Sequence, residues 1–599
     1  MFHDMPLTLH VDYITFSNKI TNNMNKIKLI PLALAAFMFS ACSSEDTENG
    51  GGNNNVDVSY LSVNIQNVGE AMSRAEGDVY EDGTPNESNI KNVRFYFFNA
   101  DGSPYLLQKN DPKDTDKNWM TVDKPTDGTK NDEKPNVTKL TEAILVINGK
   151  NKVAPHSVVA VINSTSLSNN LDSKLGNGAL SLSNLRNVQD TLFYDAKETK
   201  NFVMANSIYM TKDGKEEYAV PVSGHVATDP EVAKTNPIDI YVERVAAKVT
   251  TTCDTKKGWN IGTETWNNGK WTYQLKDKIF NNNVFVVVDG WSVADANRRA
   301  NVEKVISTTW DKDLLGIDPW TTGDYHRCFW ETSVPFEGDN KVLNKSFKNI
   351  SSAIADGIVY TQPNTPVKTD DFADKMENNL TKVIVAAHLW YKDDAGVAHQ
   401  AEICKYKGIQ YLSKEDVLTV VANENKSKYF KKTTTTDSEG HNVDVYTSIS
   451  KDDLTFATSA PEGGSATLKD YEVIPQFKSD AEIYDADHKS VNVADANKAL
   501  AIDANKAQVR REGRVYYYTP IQHLGTEEAK LGYYGVVRNH SYKINIQDVS
   551  GFGTPVYDPD KVIDPTLPEE ENIYLAARIK VLSWRVVNSN VNLDSNKKK

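Results

Sequence analysis

The chain predicts an all-β protein with mainly antiparallel sheets, and three observations carry that expectation. Short runs of alternating apolar and polar residues recur along its 599 residues. Asp-Gly, Asn-Gly and Pro-rich spacers separate those runs. No sustained helical periodicity crosses the first half, so short strands between turn signals predict a β-sandwich. Hydrophobic residues make up 39% and charged residues 25%, typical of a chain that can bury a real core.

The elements follow in order. In Ser59–Asn67, Leu61, Val63 and Ile65 fall on one face, with Ser62, Asn64 and Gln66 opposite. That strand ends at Gly69 and precedes an exposed-looking stretch, residues 70–89, which contains Arg74-Ala75. Alternation returns at Val93, Phe95 and Phe97, before the turn Asn99-Ala100-Asp101-Gly102. Further strands are expected at 143–147, 158–162, 202–204 and 238–242. A second block starts at Val242, with strands at 245–251, 284–288, 383–387 and 516–518. Its size exceeds what one sandwich needs and predicts insertions. Residues 485–510, rich in Ala, Asp and Lys, fit either a short helix or a solvated loop.

The beginning of the chain reads as an export signal. Residues 24–28 (MNKIK) are basic, residues 29–39 (LIPLALAAFMF) are apolar, and Ser40-Ala41-Cys42 follows. The apolar run is too short for a bilayer core, which takes roughly 20 residues. Ser-Ala-Cys resembles a bacterial lipobox, with Phe39 where that pattern usually has Leu. Acylation of Cys42, with palmitate or a similar chain, would make an outer-membrane lipoprotein precursor. Residues 1–23 lie ahead of this complete signal and read as a start assigned too far upstream. Residues 42–55 form an acidic, then Gly/Asn-rich, flexible tether. Acidic residues behind a lipidated Cys resemble the surface-export signal of Bacteroidetes lipoproteins.

After the signal roughly 555 residues remain, enough for two to four domains. The net charge of -14 argues against a nucleic-acid partner, which would favour a basic face. Cys253, Cys328 and Cys404 are far apart, so they make neither a disulfide framework nor a CxxC metal site. No GxSxG, P-loop, HExxH or CxxC occurs, and Gly551-Phe552-Gly553 lacks the third glycine of a dinucleotide fingerprint. Asp485, Asp487 and His488 lack EF-hand spacing and read as a solvated loop. No residue is left to assign as a catalyst, and no cofactor or metal site is expected. Eight of the ten tryptophans fall between Trp259 and Trp390. They could stack on sugar rings if exposed, but the core of a large domain is the favoured reading.

The last third carries the most specific pattern: residues 531–546 (LGYYGVVRNHSYKINI), 551–560 (GFGTPVYDPD) and 575–593 (LAARIKVLSWRVVNSNVNL). Together these resemble the C-terminal region of major fimbrial subunits of the Mfa1 family, the FimA-like type V pili of Bacteroidetes. Residues 202–209 (FVMANSIY), 242–249 (VERVAAKV) and the RCFW ending at Trp330 are similar to other parts of that family. The resemblance implies two transthyretin-like β-sandwich domains, 75–241 and 242–599, the second with insertions. It also implies no enzyme but a structural role in adhesion and biofilm, and maturation by an Arg-specific or trypsin-like surface protease. That cut lands between Arg74 and Ala75.

Cutting there would release the strand within 56–74 and expose a groove flanked by unpaired backbone edges, ready for another strand. The expected donor is the C-terminal segment 573–593 of a neighbouring copy. Ile573, Leu575, Ala577, Ile579 and Val581 share one face, and Val591 and Leu593 follow, while residues 594–599 extend beyond the pattern. Head-to-tail contacts of this kind do not close and so build filaments. Expected partners are other copies of the chain, anchor and accessory or tip subunits, the protease, and the outer membrane before cleavage. The competing readings are an accessory or tip adhesin, and a surface glycan-binding lipoprotein or hydrolase.

Overall fold

A computed structural model describes residues 59–590 except 68–86, 124–125, 128–137, 151–152, 165–170, 192, 194–200, 211–214, 254–258, 261–264, 307–327, 343–344, 353–356, 367–378, 526–530, 564–573 and 583–587. Strands dominate the described residues and pair mostly antiparallel, which bears out the all-β expectation. The signal, Cys42, the tether, Arg74, Ala75, Ile573, Val591 and Leu593 lie outside the described residues.

The first core is built by β1 (Ser59–Asn67), β2 (Asn92–Phe98), β3 (Trp119–Asp123), β4 (Thr138–Ile147), β5 (Ser157–Ile162), β6 (Met204–Asn206) and β7 (Ile238–Arg244). They run β3-β2-β5-β6-β7-β1-β4 within a ten-stranded sheet. Neighbours along this path are antiparallel except β1 and β7, which are parallel. Phe95, Phe97, Leu145, Val159, Val161 and Ile240 are buried in one apolar cluster. The opposite face of β2 is buried too. Arg94 lies 3.8 Å from the Trp119 ring centroid and pairs with Asp172 at 3.3 Å, so a charged residue is sealed within a strand whose sequence alternates.

The second core uses β8 (Ala247–Cys253), β9 (Trp271–Gln274), β10 (Val284–Ala294), β11 (Ile358–Thr361), β12 (Lys382–Lys392), β13 (Arg514–Pro520), β14 (Ser541–Ser550), β15 (Tyr574–Leu582) and β16 (Asn588–Asn590). One sheet is ordered β11-β8-β14-β15-β16, and a second contains β9-β10-β12-β13 in that order. Val249, Val286, Val385, Tyr517, Tyr542 and Ile544 are buried in the cluster these strands share. The first cluster reaches Ala246 and the second begins at Ala247, so the two cores adjoin along the chain.

Residues 404–509 leave the second core and form a third apolar cluster around Tyr406, Val417, Val421, Phe477 and Leu500. Its 12-residue helix Lys414–Asn425 was not among the expected elements. The signal was local: Ser413 caps Asp416 reciprocally, and Val417, Leu418, Val421 and Ala422 bury one side. Within 485–510, left open between helix and loop, Val493–Leu500 is helical and Ala507–Val509 is a strand.

In β10 the register with β12 slips between Val288 and Gly290. A Cβ at Gly290 would meet the Ile350 carbonyl oxygen at 2.4 Å, so only glycine fits beneath the short helix Phe347–Ser352. Gly290→Ala should cost about 1–3 kcal/mol through overpacking. The check is a denaturant midpoint shifted downward with an unchanged m-value.

Candidate strand-exchange site

β1 is the element the sequence singled out as removable, and it lies inside the sheet. On one side it pairs antiparallel with β4, Leu61 opposite Leu145 and Val63 opposite Ala143. On the other it runs parallel to β7, Val63 beside Ile238 and Ile65 beside Ile240. Its first residues also pair with Val226–Ala227. Leu61 and Val63 are fully buried. A strand held on both sides leaves two unpaired edges and an apolar slot when it departs.

The C-terminal segment is placed differently from a free donor. β15 lies inside its own sheet, antiparallel to β14, with Val549 opposite Leu575, Ile546 opposite Ala577, Ile544 opposite Ile579 and Tyr542 opposite Val581. β16 folds back on β15 and forms the sheet edge, Asn590 opposite Arg578 and Asn588 opposite Lys580. The positions Leu575, Ala577, Ile579 and Val581 are therefore paired within this chain, and the edge belongs to the segment beyond Leu582.

Between the slot and the tail lies a junction of buried charges. In Val242–Val249, Glu243 pairs with Lys304 at 2.8 Å, both sealed from solvent. Lys248 meets Glu87 at 2.9 Å, and the Arg244 Nε donates to the Glu87 carbonyl oxygen at 2.7 Å. Arg538 Nε donates to Glu331 at 2.8 Å, and its other nitrogens reach the carbonyls of Val302 and Asn301. Glu87 was missed from sequence. It lies within the stretch 70–89 read as exposed, yet it is fully buried, and nothing in its Asn- and Ser-rich surroundings marks it.

Glu303 adds a titratable group to this junction. It is buried, one carboxyl oxygen has no hydrogen-bond partner among the described residues, and burial pushes its pKa up to about 8 against the pull of Arg538 and Arg186. The folded state keeps a proton that the unfolded chain releases above the carboxyl's ordinary 4.5. Stability therefore falls as pH rises from 4.5 towards 8, by about 1.4 kcal/mol per pH unit at most. Glu303→Gln, which stays neutral, should gain on the wild type across that window in thermal melts at pH 5 and 8.

The other singled-out residues have structural surroundings. Cys328 and Cys404 are buried and free, and burial raises both thiols, Cys404 to about 12. Cys253 is half-buried. Trp291 and Trp330 are buried, whereas Trp266 and Trp390 are half-buried, 5.5 Å apart beside Phe285 and Lys392. Asp485 accepts from the backbone N–H groups of Asp487 and Lys489, closing a turn, and His488 stacks on Tyr446 at 4.0 Å. Among the described residues no group of His, Cys, Asp and Glu is arranged to hold a metal.

At the start of the C-terminal region, Arg510 is buried and donates to the carbonyl oxygens of Phe552 and Gly553, both at 2.9 Å. β13, Arg538, β14, β15 and β16 come after this anchor. Residues 509–590, the stretch that spans them, match the family profile "Major fimbrial subunit protein type IV, Fimbrillin, C-terminal". Over these residues the chain is similar to a fimbrillin C-terminal region. The match bears out the resemblance to fimbrial subunits over the segment whose pattern was most specific. No curated protein matches the chain. Similar solved structures include a provisionally assigned cell adhesion protein from Parabacteroides distasonis, at 10% identity over 89% of this chain and 98% of that one, with a TM-score of 0.35. Another is the tip fimbrial protein Mfa3 from Porphyromonas gingivalis with C-terminal truncation, at 9% identity, 88% and 100% coverage, and a TM-score of 0.27. A third is a fimbrial assembly protein from Parabacteroides distasonis, at 9% identity, 71% and 97% coverage, and a TM-score of 0.25. Within this chain, the matched residues 509–590 supply three of the five strands of the β11-β8-β14-β15-β16 sheet, β16 at its edge.

Proposed function

We propose that this chain is a structural shaft subunit of a cell-surface fimbria, without enzymatic activity of its own. It is exported as a lipoprotein precursor acylated at Cys42, cut between Arg74 and Ala75 by a trypsin-like surface protease, and polymerised by strand exchange. In this reading 56–74 is the removable segment, 75–241 the receiving domain and 242–599 the donating one. The observation that carries the reading is β1 itself, sealed by Leu61 and Val63 and held between β4 on one side and β7 and Val226–Ala227 on the other. The similarity to a fimbrillin C-terminal region supports the donating role. Because β15 is already paired with β14, the donor is assigned to the segment beyond Leu582, where Val591 and Leu593 supply the apolar face.

The partners are then other copies of the chain, joined head to tail, with anchor and tip subunits at the fibre's ends. N-terminal sequencing of surface-purified fibres tests the reading directly. A mature terminus at Ala75 in an SDS-resistant polymer supports it. A monomer still acylated at Cys42 would sink it.

A further inference from the structure

The slot and the tail belong to different cores, so a fibre's geometry depends on what fixes one against the other. Glu87 is one of the residues through which these two parts meet. Its carboxylate takes the Lys248 ammonium at 2.9 Å and accepts the Tyr360 hydroxyl hydrogen. Its carbonyl oxygen accepts from Arg244 Nε at 2.7 Å. Arg244 continues the clamp to Ser88 Oγ at 2.8 Å and to Asn539 Oδ1 at 3.1 Å.

Each partner sits on a functionally distinct element. Arg244 ends β7, the strand directly beside β1 and hence a wall of the slot. Lys248 is in β8 and Tyr360 in β11, both in the sheet that carries β14, β15 and β16. Tyr360 also lies edge-on to Phe202 of the first core, ring centroids 4.8 Å apart. Asn539 stands just before β14, and its N–H donates to the Ala246 carbonyl oxygen. All these partners lie after Glu87 in the chain, so a cut after Arg74 takes none of them away.

We infer that Glu87 is a positioning residue that locks the slot-bearing core to the tail-bearing sheet, and so sets the angle and stiffness between successive subunits. The inference rests on the strand-exchange reading for its consequence in the fibre, but the lock itself is a property of the monomer. Burial makes the lock stiff, because a carboxylate sealed from water keeps its cationic and hydroxyl partners rather than exchanging them for solvent. A release of β1 then stops at Glu87 instead of unravelling the junction.

The test has two arms. In the first, small-angle X-ray scattering on the uncleaved precursor compares wild type, Glu87→Gln and Tyr360→Phe. The variants should show a broader distribution of dimensions with unchanged strand content by circular dichroism. Tyr360→Phe keeps the ring and removes only the hydroxyl, which preserves a readable variant if Glu87→Gln does not fold. In the second, fibres are imaged by electron microscopy, and both variants should polymerise into fibres of several-fold shorter persistence length. Unchanged scattering in both variants, or variant fibres as straight as wild type, would overturn the inference. Absence of polymer in the wild type would instead remove strand exchange and leave the scattering arm to decide the lock.

Discussion

Arg74→Ala should abolish the polymer completely, leaving a monomer of normal thermal stability. Burial of Leu61 and Val63 contributes about 1.5–3 kcal/mol each, and each backbone hydrogen bond of β1 adds on the order of 1 kcal/mol. An incoming donor offers comparable interactions, so affinity alone does not displace β1. Tethering decides the contest. A strand covalently joined to its own domain has an effective concentration on the order of mM, well above that of a secreted subunit. Only cutting the connection removes that advantage. Gels of unheated surface extracts should show ladders for the wild type and a single band for Arg74→Ala. Ladders that persist in the variant would mean that β1 is not the strand being exchanged.

Deleting residues 583–599 should be as damaging to assembly, yet nearly silent in the monomer. The deletion spares β15 and its ladder with β14 and takes only β16 and the residues flanking it. A cut ahead of β15, removing residues 571–599, should instead lower the melting temperature as well, because it strips a strand from inside the sheet and uncovers β14. The pair of truncations separates two donors that the sequence left joined within 573–593. If the shorter deletion still forms ladders, the donor is β15 and the chain must exchange a strand it already uses. If it forms none and melts like wild type, the donor lies beyond Leu582.

The two-residue alternation in Ser59–Asn67 was legible because Leu61 and Val63 face one core while their neighbours are less deeply packed. In β2 the same reasoning found Val93, Phe95 and Phe97 but not the burial of Arg94 and Tyr96. Their environment comes from Trp119 and Asp172, distant in sequence, so no local pattern could reveal it. The helix Lys414–Asn425 is the opposite case, since its capping residues and apolar spacing were local and were passed over. For the proposed exchange site, Leu61 and Val63 were singled out through their alternation, and the tail through its resemblance to a family. Its division at Leu582 was not visible, because Ile579 and Val591 look equally suited to a slot until β14 is seen to occupy one of them. Glu87 stayed hidden for a further reason. A carboxylate is matched by Lys248, Tyr360 and Arg244 only after the two cores have formed around it.

The nine-residue ladder between β14 and β15 also bears on how a fibre meets flow. If, as proposed, a neighbour holds the chain beyond Leu582, tension would enter β15 at its C-terminal end. A strand drawn lengthwise strains its ladder bonds together, whereas one peeled sideways loses them singly. In the proposed fibre, a pull along β15 would therefore be shared by the whole ladder rather than taken bond by bond.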